Sequence, residues 1–564
     1  MNQEKFWHKS YGRAIPEFDP REFETDLVSV FREAIGKHGP RQAVIFMGLP
    51  LTFLQIDAFA DRFAQALIAH GFGKGDVVGI NLPNVPEYVI AWLGAMKVGC
   101  VTTGISLLLS PGELAKQLRD SRAKGLVILD ALARARAGEV LADCPDLDLV
   151  IPVAIMDFLK EAPASPFPAP PGKKVLNFGS VFRSDAYPAV SPDVVLSPDD
   201  TAYLMFTGGA TGPPKGAILT HRACVSELMI VRRYLEYGER EGKVLSAFPM
   251  FHIAGLLFNA ITFSAGLTQI LLPDPRNIDF IVKMLTEQKP FMISNVPSIY
   301  YLLIAHPGFR ALDHAGLEQV ISAAAPFPED SQKELERIVG PGKVMELWGM
   351  TETARVGAMN PLRGRKKLGT VGLPLPNMDV KLVDPETGRK VGINEPGEIL
   401  IKGPNLMSGY FLNPEETALV LEKDGYLHTG DVAIQDEEGY LRLVDRTKDM
   451  IIVSGYKVFS KKVEDMLADH PAVGIMALVG VPNPDRPGSE LVKAYVVKAA
   501  NFRFEGTDDE LKKDIVEFAK TKAAPYEVPK IIEFLETMPL TGVGKLDKKV
   551  LRAMARGETR KQAE

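Results

Sequence analysis

The chain has 564 residues, 46% hydrophobic and 24% charged, an ordinary globular balance with apolar material for roughly two to four domains. A formal net charge of -6 excludes a global basic field that would gather nucleic acid or an anionic membrane surface, so any anion must be held by a local site. Cys100, Cys144 and Cys224 are odd in number and far apart, which excludes a disulfide framework or a CxxC zinc site and points to buried thiols in a reducing cytoplasm.

The opening stretch "MNQEKFWHKSYGRAIPEFD" is charged and has no apolar run of the kind a signal peptide needs. From about residue 50, Phe53, Ile56, Phe59, Phe63 and Leu67 recur at helical spacing, with Gly71 where a C-terminal cap belongs. "DVVGINL" predicts a strand, "PEYVIAWLGAMKVG" a helix and "CVTTGI" a short strand. The next helix opens at Ser110, with Pro111 at its first position and Glu113 completing a capping box, and "GLVIL" follows as a buried strand. Strand and helix in alternation predict a parallel sheet layered with helices.

Residues 160–200 are proline-rich and lack a sustained period, which predicts a surface connection. After them "TAYLMF" and "AILT" read as two strands, with a helix beginning near Thr220. The apolar stretch from Ile253 to Leu272 carries Asn259, Thr262, Ser264, Thr268 and Gln269, so it reads as a buried helix followed by a strand and not as a lipid-facing span. "VLSAFP", "TQILL", "FMISN", "LEQVISAAAP" and "KVMELW" continue the alternation. Residues 369–445 carry recurrent turn signals, "DPETG", "NEPGE" and "DEEGY", and predict a β-rich subdomain. A small α+β unit runs from there to the basic tail "KKVLRAMARGETRKQAE", which reads as a solvated helix end.

Between the strands "TAYLMF" and "AILT" stands "TGGATGPPKG", residues 207–216. It lacks the GxxxxGK[ST] spacing of a Walker A loop. Its glycines would let backbone approach an anion, Thr207 and Thr211 offer hydroxyls, and Lys215 a charge. On its own the stretch fits a flexible turn as well as a phosphate cradle.

It is followed in order by "ELWGMTE" (346–352), "HTGD" (428–431), "DRTKDMIIVSG" (445–455) and "TGVGK" (541–545). This ordered set resembles the acyl-adenylate-forming superfamily, which includes acyl-CoA synthetases, firefly luciferase and the adenylation domains of peptide synthetases. The resemblance spans nearly the whole chain and is greatest to bacterial long-chain fatty acyl-CoA synthetases. It implies an N-terminal domain over 1–446, built of two layered α/β sheet halves plus the β-rich subdomain. A small mobile α+β domain over 449–564 would turn about a hinge near Lys448.

The resemblance further implies an ATP-dependent, AMP-forming ligase that joins a medium- to long-chain fatty acid to coenzyme A through an acyl adenylate. ATP-binding positions map to Thr207, Gly208, Gly209, Ala210, Thr211, Gly212, Lys215, Ala324, Ala325, Trp348, Gly349, Met350, Thr351, Asp431 and Arg446. Ser322 to Pro326 would border the adenine, Trp348 would lie against it, and Asp431 would accept from both ribose hydroxyls. Mg2+ would bridge to Thr207 and Glu352, Thr351 would meet the α-phosphate, and Lys545 would reach the reacting carboxylate and the α-phosphate. His252 and Gly349 map to the acyl site, and Ser454 and Gly455 to the coenzyme A arm after rotation about Lys448.

Four positions depart from the family pattern: Ala210 replaces a hydroxyl residue, Trp348 a tyrosine, Ser460 a proline and Lys462 a glutamate. His252 stands where amino-acid-activating relatives place an aspartate for the substrate's ammonium group, and this favours a plain carboxylic acid. Each buried methylene contributes about 0.8 kcal/mol, so a deep apolar channel would select long chains. An aryl or alicyclic acid, a noncatalytic nucleotide-binding relative and a luciferase-like oxygenase are the alternatives. No nucleic acid partner is expected and a cytoplasmic location is; peripheral membrane contact and a monomeric or homodimeric state are open.

Overall fold

The computed structural model describes residues 5–136, 141–159, 167–207, 214–238, 240–487, 489–499, 502–539 and 546–557. Two large mixed sheets form the body. An eight-stranded sheet runs Gly409–Tyr410, Lys215–Thr220, Thr201–Thr207, Val101–Gly104, Val77–Asn81, Ala123–Leu129, Leu149–Val153 and Lys174–Val175. A nine-stranded sheet runs Leu373–Pro374, Ala358–Met359, Val344–Trp348, Gln319–Ser322, Met292–Asn295, Lys243–Ser246, Thr268–Leu271, Gln42–Phe46 and Leu49–Thr52. Their centres are parallel; the nine-stranded sheet is antiparallel at both margins and the eight-stranded sheet at one, as where Val344–Trp348 meets Ala358–Met359 and Thr201–Thr207 meets Lys215–Thr220, while the other margin of the latter, Leu149–Val153 with Lys174–Val175, is parallel. The α/β class and the two sheet-bearing halves are both present; the antiparallel margins make the sheets mixed where alternation alone predicted parallel ones.

Helices apolar on every side belong in the interior. Every residue of Pro86–Lys97 and of Ile253–Ser264 is buried. His221–Tyr234 packs on the eight-stranded sheet and on Ile253–Ser264, which in turn packs on the nine-stranded sheet. The cation this arrangement buries, Lys97, pairs with Asp57 and, at 2.5 Å, with Asp61. Helix starts fall where capping chemistry puts them: Ser110 and Glu113 bond reciprocally, and Thr220 accepts from the backbone N–H of Ala223. Gly71, at φ 80°, follows the helix Phe53–Ala69 in the left-handed conformation that suits glycine. The three cysteines are buried and unbridged, and among the described residues no helix is long and apolar enough to cross a membrane.

Three features differ from the reading of the sequence. The hairpin Gln42–Phe46/Leu49–Thr52 forms one edge of the nine-stranded sheet, pairing in parallel with Thr268–Leu271. Within 160–200, the helix Phe178–Arg183 is more than a surface link, because Phe178 and Val181 are buried. Phe178 packs on Phe63, and Phe182 on Phe59 and Phe158, so a few aromatic contacts bury a segment too short to show a period. The helix Lys548–Ala555 is likewise more than a solvated end: Leu551 is buried, and Lys548 pairs with Glu464 at 2.7 Å.

A four-stranded antiparallel sheet, Asp379–Val383, Pro396–Lys402, Leu427–Gln435 and Leu441–Arg446, forms the β-rich subdomain. Beyond Arg446 come the hairpin Ile451–Val453/Tyr456–Val458 and a small unit whose sheet is Val473–Pro482, Glu490–Lys498 and Ile531–Phe534. This unit has its own apolar core around Val463, Leu478, Val496, Leu511 and Ile515.

Candidate active site

The strands Gln319–Ser322 and Val344–Trp348 are parallel neighbours, so the residues at their C-terminal ends lie at one edge of the nine-stranded sheet. Ligands bind at such edges because the strands end there and loops open a crevice. Ala324 and Ala325 follow the first strand and Trp348 ends the second. Ala324 sits at φ 69°, the left-handed region, which turns the loop sharply.

Trp348 is buried, and its indole Nε1 donates to Asp431 Oδ2 at 2.8 Å. Asp431 lies on Leu427–Gln435, directly across the ladder from Arg446, whose Nε stands 2.9 Å from Oδ1. The carboxylate therefore has one donor on each oxygen, and each oxygen keeps a lone pair for a further hydroxyl. Asp431 raises Arg446 above its ordinary guanidinium range, so the cation stays fully charged. Trp348, one of the departures noted in the sequence, is thus itself a hydrogen-bond donor.

Glu352 lies in the 3-10 turn Thr351–Thr353 just past Gly349 and Met350, and Thr351 beside it is buried as well. Tyr410 donates its hydroxyl to Glu352 Oε1 at 2.7 Å. Burial pushes the Glu352 carboxyl above the usual range, and the Tyr410 hydrogen bond and the nearby Arg446 oppose that rise. Thr207 and Lys215 are direct partners across the antiparallel pair that brackets the glycine loop. Lys215 pairs with Glu416 and stands 5.3 Å from the centroid of the Tyr410 ring. Both strands of that pair touch the turn that carries Glu352, so Thr207, Lys215, Tyr410 and Glu352 are contiguous. Gly208, Gly209, Ala210, Thr211 and Gly212, with Lys545, lie outside the described residues.

The donor set suits Mg2+. Among the described residues no cluster of three metal-ligating side chains occurs. A magnesium ion needs no such cage, since it is commonly held by one or two protein oxygens together with phosphate oxygens and water. Glu352, with Tyr410 fixing one of its oxygens, and Thr207 supply protein oxygens of that kind.

His252, which the resemblance maps to an acyl site, caps the helix Ile253–Ser264, its Nδ1 accepting from the backbone N–H of Ala254 at 3.3 Å. Gly349 has no room for a side chain: a Cβ there would lie 1.6 Å from the carbonyl oxygen of Arg355. Met350 donates its N–H to Thr353 Oγ1 at 3.1 Å, which ties down the turn.

The positions that sequence maps to a hinge and to coenzyme A follow Arg446 along the chain, and Lys448 feels the charges of Arg446 and Asp431. Ser454, at φ 51°, and Gly455, at φ 85°, make the tight turn of the hairpin Ile451–Val453/Tyr456–Val458. Ser454 is held by Ser489 and by Arg486, both of the C-terminal unit. The carbonyl of Lys448 accepts from Arg552, which also pairs with Asp449 at 2.5 Å. Ser460 uses both its N–H and its hydroxyl on Asp445, and Lys462 pairs with Glu527 at 2.9 Å.

Tyr410 and Glu416 were not among the residues singled out by sequence. Tyr410 lies 58 positions from Glu352 and Glu416 lies 201 from Lys215, so no local spacing links them.

The family model described as AMP-binding enzyme matches residues 31–411, and the one described as AMP-binding enzyme C-terminal domain matches residues 462–545. A long-chain-fatty-acid–CoA ligase of Escherichia coli O6:H1 is 33% identical, covering 99% of this chain and 100% of its own. A long-chain-fatty-acid–CoA ligase of Bacillus subtilis is also 33% identical, covering 97% of each chain. The ATP-bound crystal structure of MatB from Rhodopseudomonas palustris superposes with a TM-score of 0.81 at 25% identity, over 95% of this chain and 100% of that one. Profile, full-length relatives and architecture agree, and the chain belongs to the AMP-binding enzyme family.

Proposed function

We propose that the protein is an ATP-dependent, AMP-forming ligase that activates a medium- to long-chain fatty acid and transfers it to coenzyme A. The observation that carries this reading is the linked set Trp348–Asp431–Arg446 and Glu352–Tyr410–Lys215, which assembles a ribose acceptor beside a carboxylate and a cation suited to a triphosphate. Full-length likeness to relatives named long-chain-fatty-acid–CoA ligase supports the choice of acid.

In the first step the acid's carboxylate attacks the α-phosphorus of ATP and pyrophosphate leaves. An anion is brought onto a polyanion, so the catalytic task is to place cations and fixed donors where charge develops. Lys215 and the loop after Thr207 serve the β and γ phosphates, Thr351 the α-phosphate, and Lys545 both reacting groups. Mg2+, when bound through Glu352 and Thr207, supplies charge neutralisation on the phosphate oxygens. Asp431 and Trp348 hold the nucleoside, with Ala324 and Ala325 along its edge.

In the second step the thiol of coenzyme A displaces AMP. The unit from 449 onward turns about Lys448, carrying Lys545 away and bringing Ser454 and Gly455 to the pantetheine arm. A turn with two successive left-handed residues leaves backbone open to close approach, which suits a thin substrate. A cytoplasmic location is part of this reading. The test is acid-dependent exchange of pyrophosphate into ATP across acids from acetate to palmitate. Exchange with fatty acids, followed by thioester formation without oxygen uptake, is expected; no exchange with any acid would sink the ligase reading.

A further inference from the structure

Lys215, the cation assigned to the β and γ phosphates, already has an anion of the chain's own. It pairs with Glu416, which stands 201 positions further along. Glu416 lies in the first turn of the helix Pro414–Val420, where Asn413 caps the helix by accepting from the Glu416 N–H at 3.2 Å. Thr417 beside it accepts from the backbone N–H of Tyr410 at 2.8 Å and donates to the carbonyl of Asn413 at 2.8 Å. The segment leading into that helix is bonded to the strand that begins at Lys215: Phe411 donates its N–H to Gly216 at 2.7 Å, and Ser408 to Ile218 at 3.0 Å. The same segment holds the other side of the site, since Met407 donates its N–H to the carbonyl of Glu352 at 2.8 Å. Backbone pairing therefore brings Glu416 to Lys215, and the meeting is not a chance one between two long side chains.

The pair adds little to stability. Its side chains are 25% and 38% exposed, so water screens their attraction. Its position is what matters. Lys215 stands 5.3 Å from the centroid of the Tyr410 ring, whose hydroxyl bonds Glu352. Burial pushes that hydroxyl up, and both Glu352 and Glu416 push it further, so Glu416 acts within the site and not only at its rim. A phosphate that comes to Lys215 beside Thr207 and Glu352 therefore enters the reach of Glu416 as well. The ammonium is a compact charge with three donors, for which a phosphate and a carboxylate compete, and a fixed carboxylate also repels a polyanion.

This competition bears on the product. ATP and pyrophosphate offer Lys215 the same two phosphates, so a lysine without a competitor would grip the product as firmly as the substrate, and slow departure of product limits many enzymes. An acyl adenylate lacks those phosphates and is indifferent to the contest.

We propose that Glu416 is a positioning residue that competes with polyphosphate for Lys215: it yields the ammonium to ATP and takes it back as pyrophosphate leaves. This rests on the ligase reading and deepens it, giving the release of the first product a named device.

The experiment titrates the full-length protein with ATP and with pyrophosphate, each with Mg2+, and separately assays the reaction of added acyl adenylate with coenzyme A. Glu416→Gln keeps the size of the side chain and the backbone bonds of the helix start while removing the charge. It should tighten ATP and pyrophosphate by about 3- to 10-fold each and slow pyrophosphate dissociation to the same extent, with the acyl adenylate reaction unchanged. Lys215→Gln should weaken both ligands, and adding Glu416→Gln to it should give no further tightening, because the competition acts through the ammonium. Unchanged or weaker binding by Glu416→Gln overturns the proposal, and so does equal tightening in the Lys215→Gln background. Glu416→Ser is a second uncharged replacement and decides on the same measurements if Glu416→Gln is damaged in the acyl adenylate reaction. Both titrations are made without an acid, so a failure of every acid to release AMP overturns the ligase reading alone, whereas absence of ATP binding overturns both.

Discussion

Trp348 and Asp431 are joined across 83 residues by an indole N–H that donates 2.8 Å to a buried carboxylate. Arg446 holds the other oxygen of the same group, so the plane of the carboxylate is set from two sides.

Trp348→Phe keeps an aromatic face and removes that donor. Hydrogen bonds to charged groups contribute roughly 1.5–3 kcal/mol, so KM for ATP should rise about 10-fold or more. The rate at saturating ATP should change little, since the bond serves bound nucleotide and transition state alike. Steady-state kinetics with varied ATP checks this; an unchanged KM would mean that Asp431 needs no help from the indole.

Tyr410→Phe tests the geometry at Glu352. The hydroxyl donates to the ionised carboxylate, and burial already pushes that group up. Losing the donor disfavours the ionised form, so the carboxyl rises further and the acid limb of kcat/KM for ATP should move to higher pH. The Mg2+ concentration for half-maximal rate should rise about 10-fold on the same scale. A limb that stays put would remove Tyr410 from the metal-binding side of the site.

Lys545→Ala separates the two chemical steps. Adenylation should slow by roughly 10²- to 10³-fold, the scale for losing one charged stabiliser, while added acyl adenylate still reacts with coenzyme A. Single-turnover measurements of each half-reaction decide; equal loss in both would contradict rotation about Lys448.

Asp445, which accepts from the N–H and hydroxyl of Ser460, makes the start of the C-terminal unit sensitive to pH. Burial raises the Asp445 carboxyl to about 6. A folded value above the unfolded one, near 3.9, means the folded chain binds the proton more tightly. The contribution of Asp445 to stability is therefore full below about pH 4 and is lost as pH rises through about 6. Asp445→Asn should flatten that trend in denaturant unfolding followed between roughly pH 4 and 7. Ser460→Pro deletes an N–H that Asp445 uses and should cost about 1–3 kcal/mol in the C-terminal unit, read by hydrogen exchange.

Much of this arrangement was legible in order along the chain. The two strands flanking the glycine loop and the start of His221–Tyr234 near Thr220 were readable, whereas the antiparallel pairing of Thr207 with Lys215, both read as loop, was not. The placement of Trp348, Asp431 and Arg446 in one cluster came only through the resemblance, because Trp348 belongs to one sheet and the other two to another. The indole hydrogen bond, Tyr410 and Glu416 left no trace in spacing or period. Each depends on where long-range packing sets a side chain down, and such contacts have no local signature.

The hairpin Gln42–Phe46/Leu49–Thr52 also bears on how the chain is made. Val44 pairs with Gln269, so the strand leaves the ribosome roughly 200 residues before its partner does. At ordinary synthesis rates that interval is about 10–40 s, during which an apolar strand has no edge to join. The eight-stranded sheet, whose central strands lie between Val77 and Thr220, can close first, and the N-terminal hairpin then docks late as the piece that completes the second.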